Sequence, residues 1–196
     1  MLKRTSEEKQ NPTEMDIREK INAISHSPVL QQEYLENLLK RIAIQPSIKI
    51  FASRILADVY ARRGMWASAA KTMENAADAS VSFNDRKNVC MEAGMLYIKA
   101  QDYLLADDLF RKAVDAASKD EKGRLQDEIK NLFFVEAESL DKQGKMSKSV
   151  KLYERLLRNA AASDEKKKIM MRLQPLYEKL SRVQDAIAMR ESLKSM

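Results

Sequence analysis

Residues that make turns are scarce in this sequence. Among 196 residues there are four glycines and four prolines, whereas an all-β fold needs many turns built from these residues. The abundant residues are instead strong helix formers, namely Ala, Leu, Lys, Glu, Arg and Met. No segment alternates between apolar and polar residues over a useful length. An all-α protein is therefore predicted.

Residues of catalytic and metal sites are scarce as well. Cys90 is the only cysteine, which excludes an intramolecular disulfide and is consistent with a reducing compartment. The only histidine, His26, precedes Ser27-Pro28 and is predicted to lie in a turn. Neither a Ser/His/Asp triad nor a histidine-containing metal cluster is expected. The sequence also contains no Gly-x-Gly-x-x-Gly motif and no phosphate-binding loop. We expect no enzyme activity, no cofactor and no bound metal.

Long apolar runs are missing too. No stretch approaches the roughly 18 apolar residues of a membrane span, and the N-terminal residues MLKRTSEEKQNP lack the apolar core of a signal peptide. We expect a soluble, cytoplasmic protein. The net charge is +6, and residues 124–196 contribute 16 basic and 11 acidic residues, which is +5. This excess suits a solvated surface of mixed charge, but it also suits a surface for an acidic partner or nucleic acid.

A pattern of seven positions recurs four times along the chain. It begins with a small residue, followed at +3 by an aromatic residue or leucine, at +7 by a turn residue and at +9 by a large apolar residue. A small residue at +12, a large one at +16 and a small-to-medium one at +19 complete it. Small residues let two helices approach closely, and the turn residue ends the first helix with positive φ. The repeats start at Ala57, Gly94, Ala137 and Gln174, and the fourth matches least well.

This pattern resembles the tetratricopeptide repeat (TPR) signature, Gly-x-x-Tyr followed by Ala-x-x-x-Phe, over residues 50–193. The repeat periods are 37, 43 and 37 residues, longer than the usual 34, and the closing proline is replaced by Val81, Ser118 and Ala161. Longer helices of this kind resemble the attachment-protein (SNAP-like) branch of the superfamily. The resemblance implies an all-α, right-handed α-α superhelix of antiparallel helix pairs.

The domain organisation is predicted from helix-breaking residues and the repeat. We expect Ser47 to cap the helix that follows Pro46, and Pro175 to kink or break the first helix of the last repeat. The predicted segments are a flexible tail (1–14), a degenerate or capping helix pair (15–45) and TPR-like repeats over 47–196, at about 47–82, 84–119, 121–162 and 163–196.

The resemblance also implies which residues face the concave groove. A basic residue stands five positions after each repeat's first residue, which predicts a basic row suited to an acidic segment or a chain terminus. Met91 and Met95 are four apart, share a helix face, and suit an adaptable binding surface or plain core filling. The tentative partner-binding residues are Arg54, Asp58, Arg62, Met91, Met95, Lys99, Phe134, Glu138, Lys142 and Lys179.

Several functions are consistent with this sequence. The first is a non-catalytic adaptor or scaffold that binds an acidic, extended or helical segment of another protein in its groove. The second is a structural subunit of a larger assembly, which exposed apolar residues in the N-terminal helix pair would favour. The third is RNA binding through the basic C-terminal third, although few aromatic residues lie there for base stacking. The family's carboxylate clamp needs asparagine where Asp58, Met95, Glu138 and Pro175 stand, so clamp-type chaperone binding is disfavoured.

Overall fold

The computed structural model describes residues 12–41 and 44–196. This described part contains ten α-helices and no strand, so the predicted all-α class is confirmed. The helices are α1 (Glu14–Ala23), α2 (Pro28–Leu39), α3 (Pro46–Arg62), α4 (Trp66–Asp78), α5 (Phe83–Lys99), α6 (Tyr103–Ala116), α7 (Lys119–Lys142), α8 (Met146–Asn159), α9 (Ser163–Lys179) and α10 (Val183–Lys194). Residues 1–11 of the predicted tail, and residues 42–43 of the predicted N-terminal pair, lie outside the described residues. None of the described helices is both long and apolar enough to cross a membrane.

Within each of two units, helices that follow one another along the chain pack together. The chain divides into two compact units, Met1–Lys122 and Gly123–Met196. In the first unit each helix from α2 to α5 packs against the helix that follows it, and α1 packs against α3. In the second unit α8 packs against α9 and α9 against α10. The Ser149 hydroxyl joins α7 to α8 by donating a hydrogen bond to the Ala137 carbonyl at 2.8 Å.

All four repeats share one turn between their two helices. The turn residue has positive φ in each case, as the sequence predicted, and the values are 74° at Gly64, 62° at Gln101, 75° at Gly144 and 58° at Ser181. The amide of the following residue then donates to the carbonyl five positions earlier, which is the Schellman closure of a helix C-terminus. These bonds are Met65 to Tyr60 (2.9 Å), Asp102 to Tyr97 (3.0 Å), Lys145 to Leu140 (2.8 Å) and Arg182 to Tyr177 (2.9 Å).

The small positions of the repeat lie where helices approach most closely. Ala57, Ala106 and Ala137 are all buried. Gly94 lies at a close approach between helices, because a Cβ atom added there would lie 2.5 Å from Cε1 of the Phe110 ring. Phe110 stands on the partner helix α6 and is itself buried. The predicted alternation of small and large residues therefore corresponds to packing between paired helices.

Two predictions about helix ends are wrong, namely the N-cap at Ser47 and a break at Pro175. Helix α3 begins at Pro46 with Gln45 as its N-cap, so Ser47 lies inside the first turn. Proline suits this first position because its missing N–H has no partner in the helix. Helix α9 continues through Pro175 without a break. The carbonyl that loses its helical partner there belongs to Met171, and both residues are exposed, so water can bind that carbonyl while the opposite face of α9 stays packed.

Candidate functional site

The first unit brings several of the predicted groove residues together in one cleft. This cleft has a volume of about 360 Å³ and lies between α3 and α5, the first helices of two successive repeats. Its apolar lining consists of Ala57, Ala61, Met73 and Leu96, together with Met95, which is 37% exposed. Arg54 and Asp58 line it as well, as predicted, and so does Glu92, which the sequence analysis missed. The cleft therefore offers an apolar surface with charged groups beside it.

The charges of this cleft are paired within the chain. Arg54 on α3 holds Glu92 on α5 in a bidentate contact, with Nη2 at 2.7 Å from Oε1 and Nε at 2.9 Å from Oε2. The hydrogen bond to Glu92 raises the pKa of Arg54. Asp58 pairs with Arg62 one turn further along α3, at 3.0 Å. Since both cations have acidic partners, the cleft has no strong excess of either charge.

Two other predicted residues of the first unit differ in exposure. Met91 is buried and is not among the residues that line the cleft, although it shares a helix face with Met95. Lys99 is exposed at the end of α5, two turns after Glu92. Two of the four basic residues in the predicted row, Arg62 and Lys99, lie in this unit.

The other two members of that row, Lys142 and Lys179, belong to the second unit. An ion pair of 2.7 Å between Glu138 and Arg172 joins α7 to α9. Lys142 follows Glu138 by one helical turn, and Lys179 follows Arg172 by two, so each lies on the same side of its helix as the ion pair. Both lysines are exposed, and neither makes an ion pair within the described residues. This side of the second unit therefore carries unneutralised positive charge.

Exposed apolar groups accompany these lysines. Val135 on α7 is 53% exposed and Met171 on α9 is 60% exposed. The predicted groove residue Phe134 is buried against the Tyr153 ring, with the ring centroids 5.4 Å apart, and the Lys168 ammonium lies 4.4 Å from the Phe134 centroid. Phe134 and Lys168 line a smaller cleft of about 210 Å³ together with Asn131. The second unit thus combines basic and apolar groups, whereas the first has paired charges.

A second recurring contact links three of the four repeats to the helix pair before them. The tyrosine at +3 donates its hydroxyl hydrogen to a glutamate on the second helix of the preceding pair. The three contacts are Tyr60 to Glu36, Tyr97 to Glu74 at 2.8 Å and Tyr177 to Glu154 at 2.8 Å. We call this contact the tyrosine–glutamate clamp. The sequence analysis missed it, although the signal was present, because Glu74 and Glu154 both stand at +17 of their repeats.

The clamps raise the pKa values of the three tyrosines and lower those of Glu36 and Glu74. Burial and the hydrogen bond to Glu36 raise the pKa of Tyr60 to about 12. Burial, followed by the glutamate contact, also raises the pKa values of Tyr97 and Tyr177. Burial acts to raise the pKa of Glu74, but hydrogen bonds from Tyr97 and Lys71 outweigh it, so that pKa is lowered. The clamps of Tyr60 and Tyr97 therefore each join a protonated tyrosine to an ionised glutamate at neutral pH.

Comparisons with known proteins yield only weak likenesses to solved structures. No family model matches the chain, and no curated protein matches it. Among solved structures, BtubC (BKLC) from P. vanneervenii aligns with 16% identity and a TM-score of 0.39, covering 92% of this chain and 75% of that one. MamA (MSR-1, C2) aligns with 17% identity and a TM-score of 0.41, covering 93% and 95%. Likenesses this weak carry no function to this chain.

Proposed function

We propose that this protein is a non-catalytic protein-interaction module that binds partner segments on the first helices of its repeats. The observation that carries the proposal is the cleft between α3 and α5, where Arg54, Asp58 and Met95 meet beside an apolar lining. A cleft of about 360 Å³ accepts one or two large apolar side chains of a helical or extended segment. Its charged groups already have partners, so it selects for apolar shape more than for charge.

The second unit adds a preference for acidic segments. Lys142 and Lys179 are exposed without ion pairs in the described residues, and Met171 and Val135 offer apolar contact beside them. Two basic residues near exposed apolar groups favour a partner segment with acidic and apolar residues in alternate turns. We therefore propose acidic partner segments for the second unit alone, and not for the whole predicted row of four basic residues.

Site-specific crosslinking in native lysate tests the proposal. A photoreactive amino acid replaces Met95 in the cleft, and in the control it replaces Leu104, an 82% exposed apolar residue on α6. We expect discrete crosslinked proteins from the position 95 variant, resistant to nuclease, that are absent from the position 104 variant. Identical crosslinks from both positions would exclude the cleft as the binding site.

Charge reversal tests the second unit once that partner segment is known. Lys142→Glu combined with Lys179→Glu is compared with Lys145→Glu combined with Lys151→Glu, which changes the same charge at exposed positions at the start of α8 and along it. We expect the first pair to weaken binding about ten-fold more than the control pair, and the difference to shrink as salt rises, since exposed charges are screened. Equal losses would indicate a general effect of charge.

A structural role in a larger assembly is the second candidate. The N-terminal helix pair exposes Met15 (69%), Val29 (51%) and Leu30 (44%), and exposed apolar groups of this kind favour packing against another subunit. Serine at all three positions should release the protein from any large native complex on gel filtration while leaving its helicity unchanged. RNA binding gains no similar support, because all four aromatic residues of the second unit are buried and unable to stack on bases.

A further inference from the structure

Helix α10 exposes apolar residues at a regular spacing of one helical turn. Val183 is 62% exposed and Ile187, one turn later, is 49% exposed. Glu191 follows one turn after Ile187 and is also exposed, and its carboxylate accepts no hydrogen bond from any described residue. These three residues lie on one side of the helix. We call them the α10 face.

The repeat itself indicates what such a face binds. Ile187 stands at +13 of its repeat, and the residues at +13 of the first and third repeats are Ala70 and Val150. Those two are 0% and 1% exposed, on α4 and α8, each of which packs against the helix that follows it. Ile187 therefore has the register of a residue that another helix covers. Because the Ile187 side chain is larger than those of Ala70 and Val150, leaving it in contact with water costs more free energy.

Glu191 repeats the acceptor of the tyrosine–glutamate clamp. It stands at +17, as do Glu74 and Glu154, whose carboxylates accept the hydroxyls of Tyr97 and Tyr177. In the second repeat +17 is Arg111, and the following tyrosine position is Leu140, so both members of the clamp are replaced together. Glutamate at +17 thus accompanies a tyrosine on the next helix wherever the sequence allows the comparison. Glu191 is the one such glutamate whose tyrosine is missing from the described chain.

We propose that the α10 face is a docking site for a tyrosine-bearing helix of a different protein, which covers Ile187 and Val183 and donates its hydroxyl hydrogen to Glu191. The helix takes the place that α9 takes on α8. Its tyrosine lies on the same side as the apolar residues that contact Ile187. This end of the repeat array is separate from the clefts described above, and the proposal does not depend on them.

The tyrosines of this chain argue for a different protein rather than a second copy. All six are half-buried or buried, and Tyr60, Tyr97 and Tyr177 already donate to glutamates. A second copy would have to break one of these bonds, or draw out a half-buried tyrosine, to offer a hydroxyl to Glu191. A helix from another protein meets no such cost.

Adding a helix to the full chain tests the site. In the extended chain, residues 158–182 are copied in place of Ser195 and Met196, which sets the added tyrosine 23 residues after Glu191, the separation of Glu154 and Tyr177. Ile187→Cys provides the readout, since its thiol reacts with a water-soluble reagent while Cys90 is buried. Docking should slow the reaction at position 187 at least about ten-fold, which corresponds to about 1.4 kcal/mol.

The controls separate docking from crowding. A glycine-serine extension of equal length should leave the rate unchanged. Phenylalanine in place of the added tyrosine, or Glu191→Gln, should each restore most of the lost reactivity, and together they should do no more than either alone. Protection that ignores both changes, or no protection at all, overturns the proposal. Glu191→Gln without the extension serves as the reference and should not alter the rate.

A second measurement addresses the choice of partner. The natural chain should stay monomeric on sedimentation over a hundred-fold range of concentration, and a peptide of residues 158–182 added in trans should slow labelling at position 187. Self-association that Ile187→Ser abolishes would instead assign the α10 face to a second copy and overturn the choice of a different protein.

Discussion

Replacing Gly94 by alanine tests how closely α5 and α6 approach each other. The added Cβ would lie 2.5 Å from Cε1 and 2.8 Å from both Cδ1 and Cζ of the Phe110 ring. The ring is 2% exposed, so other protein atoms enclose it. Gly123→Ala is a matched control, because Gly123 also lies in a helix, on α7, and nothing stands within 4 Å of its added Cβ.

The two substitutions share one favourable effect and differ in one unfavourable effect. Alanine is better than glycine inside a helix by about 0.5–1 kcal/mol, and this gain applies to both. Overpacking a core contact costs about 1–3 kcal/mol, and this cost applies only at Gly94. Gly123→Ala should therefore stabilise the protein by about 0.5–1 kcal/mol, and Gly94→Ala should destabilise it by about 1 kcal/mol.

The assay is urea unfolding followed by far-ultraviolet circular dichroism, with amide exchange in α5 to locate the loss. A third variant, Phe110→Leu, removes the ring atoms that the new Cβ would contact. In that background the Gly94→Ala penalty should fall below about 0.5 kcal/mol, and the difference is the coupling energy of the pair. If Gly94→Ala stabilises the protein as much as Gly123→Ala does, the close approach of α5 and α6 is refuted.

Three further predictions concern the clamps and the repeat core. Tyr97→Phe removes the hydroxyl donor to Glu74 and should cost about 1–2 kcal/mol in urea unfolding, since the acceptor is charged; no change would mean that water replaces the bond without loss. The pKa of Tyr60 is about 12 in the folded protein and 10 ordinarily, so its stabilising effect is complete below pH 10 and is lost between pH 10 and about 12; Tyr60→Phe should flatten that part of the stability curve, and an equally steep curve would contradict the shift. Ala106→Leu overfills a fully buried position and should cost about 1–3 kcal/mol, whereas an unchanged melting temperature would mean that the repeat register is wrong.

Local signals explain why the repeat architecture was predictable from sequence. Gly64 and Gly144 mark turns by themselves, and once their spacing from the small residues is known, Gln101 and Ser181 fall into the same register. Positive φ at these last two residues shows that position in the repeat outweighs their own preference. The predicted break at Pro175 does not occur, although proline is a strong local signal against a helix. Buried residues on both sides of Pro175 keep α9 helical through that position.

The candidate site was less predictable because its contacts join residues far apart in sequence. Arg54 and Glu92 are 38 residues apart, and no position of the repeat pattern links them. Met91 and Met95 share a helix face, yet only Met95 lines the cleft, because burial depends on the neighbouring helix rather than on periodicity. The predicted roles of Arg62, Lys99, Lys142 and Lys179 in binding remain predictions.

The closures of the four turns provide one slow-exchanging amide for each repeat. The amides of Met65, Asp102, Lys145 and Arg182 each donate across the turn to a carbonyl five positions earlier. In a spectrum with assigned backbone resonances these four protons report the opening of four helix pairs separately. Ranking their exchange rates gives the order in which the repeats come apart, and a partner that binds one end of the array should slow the nearest reporter most.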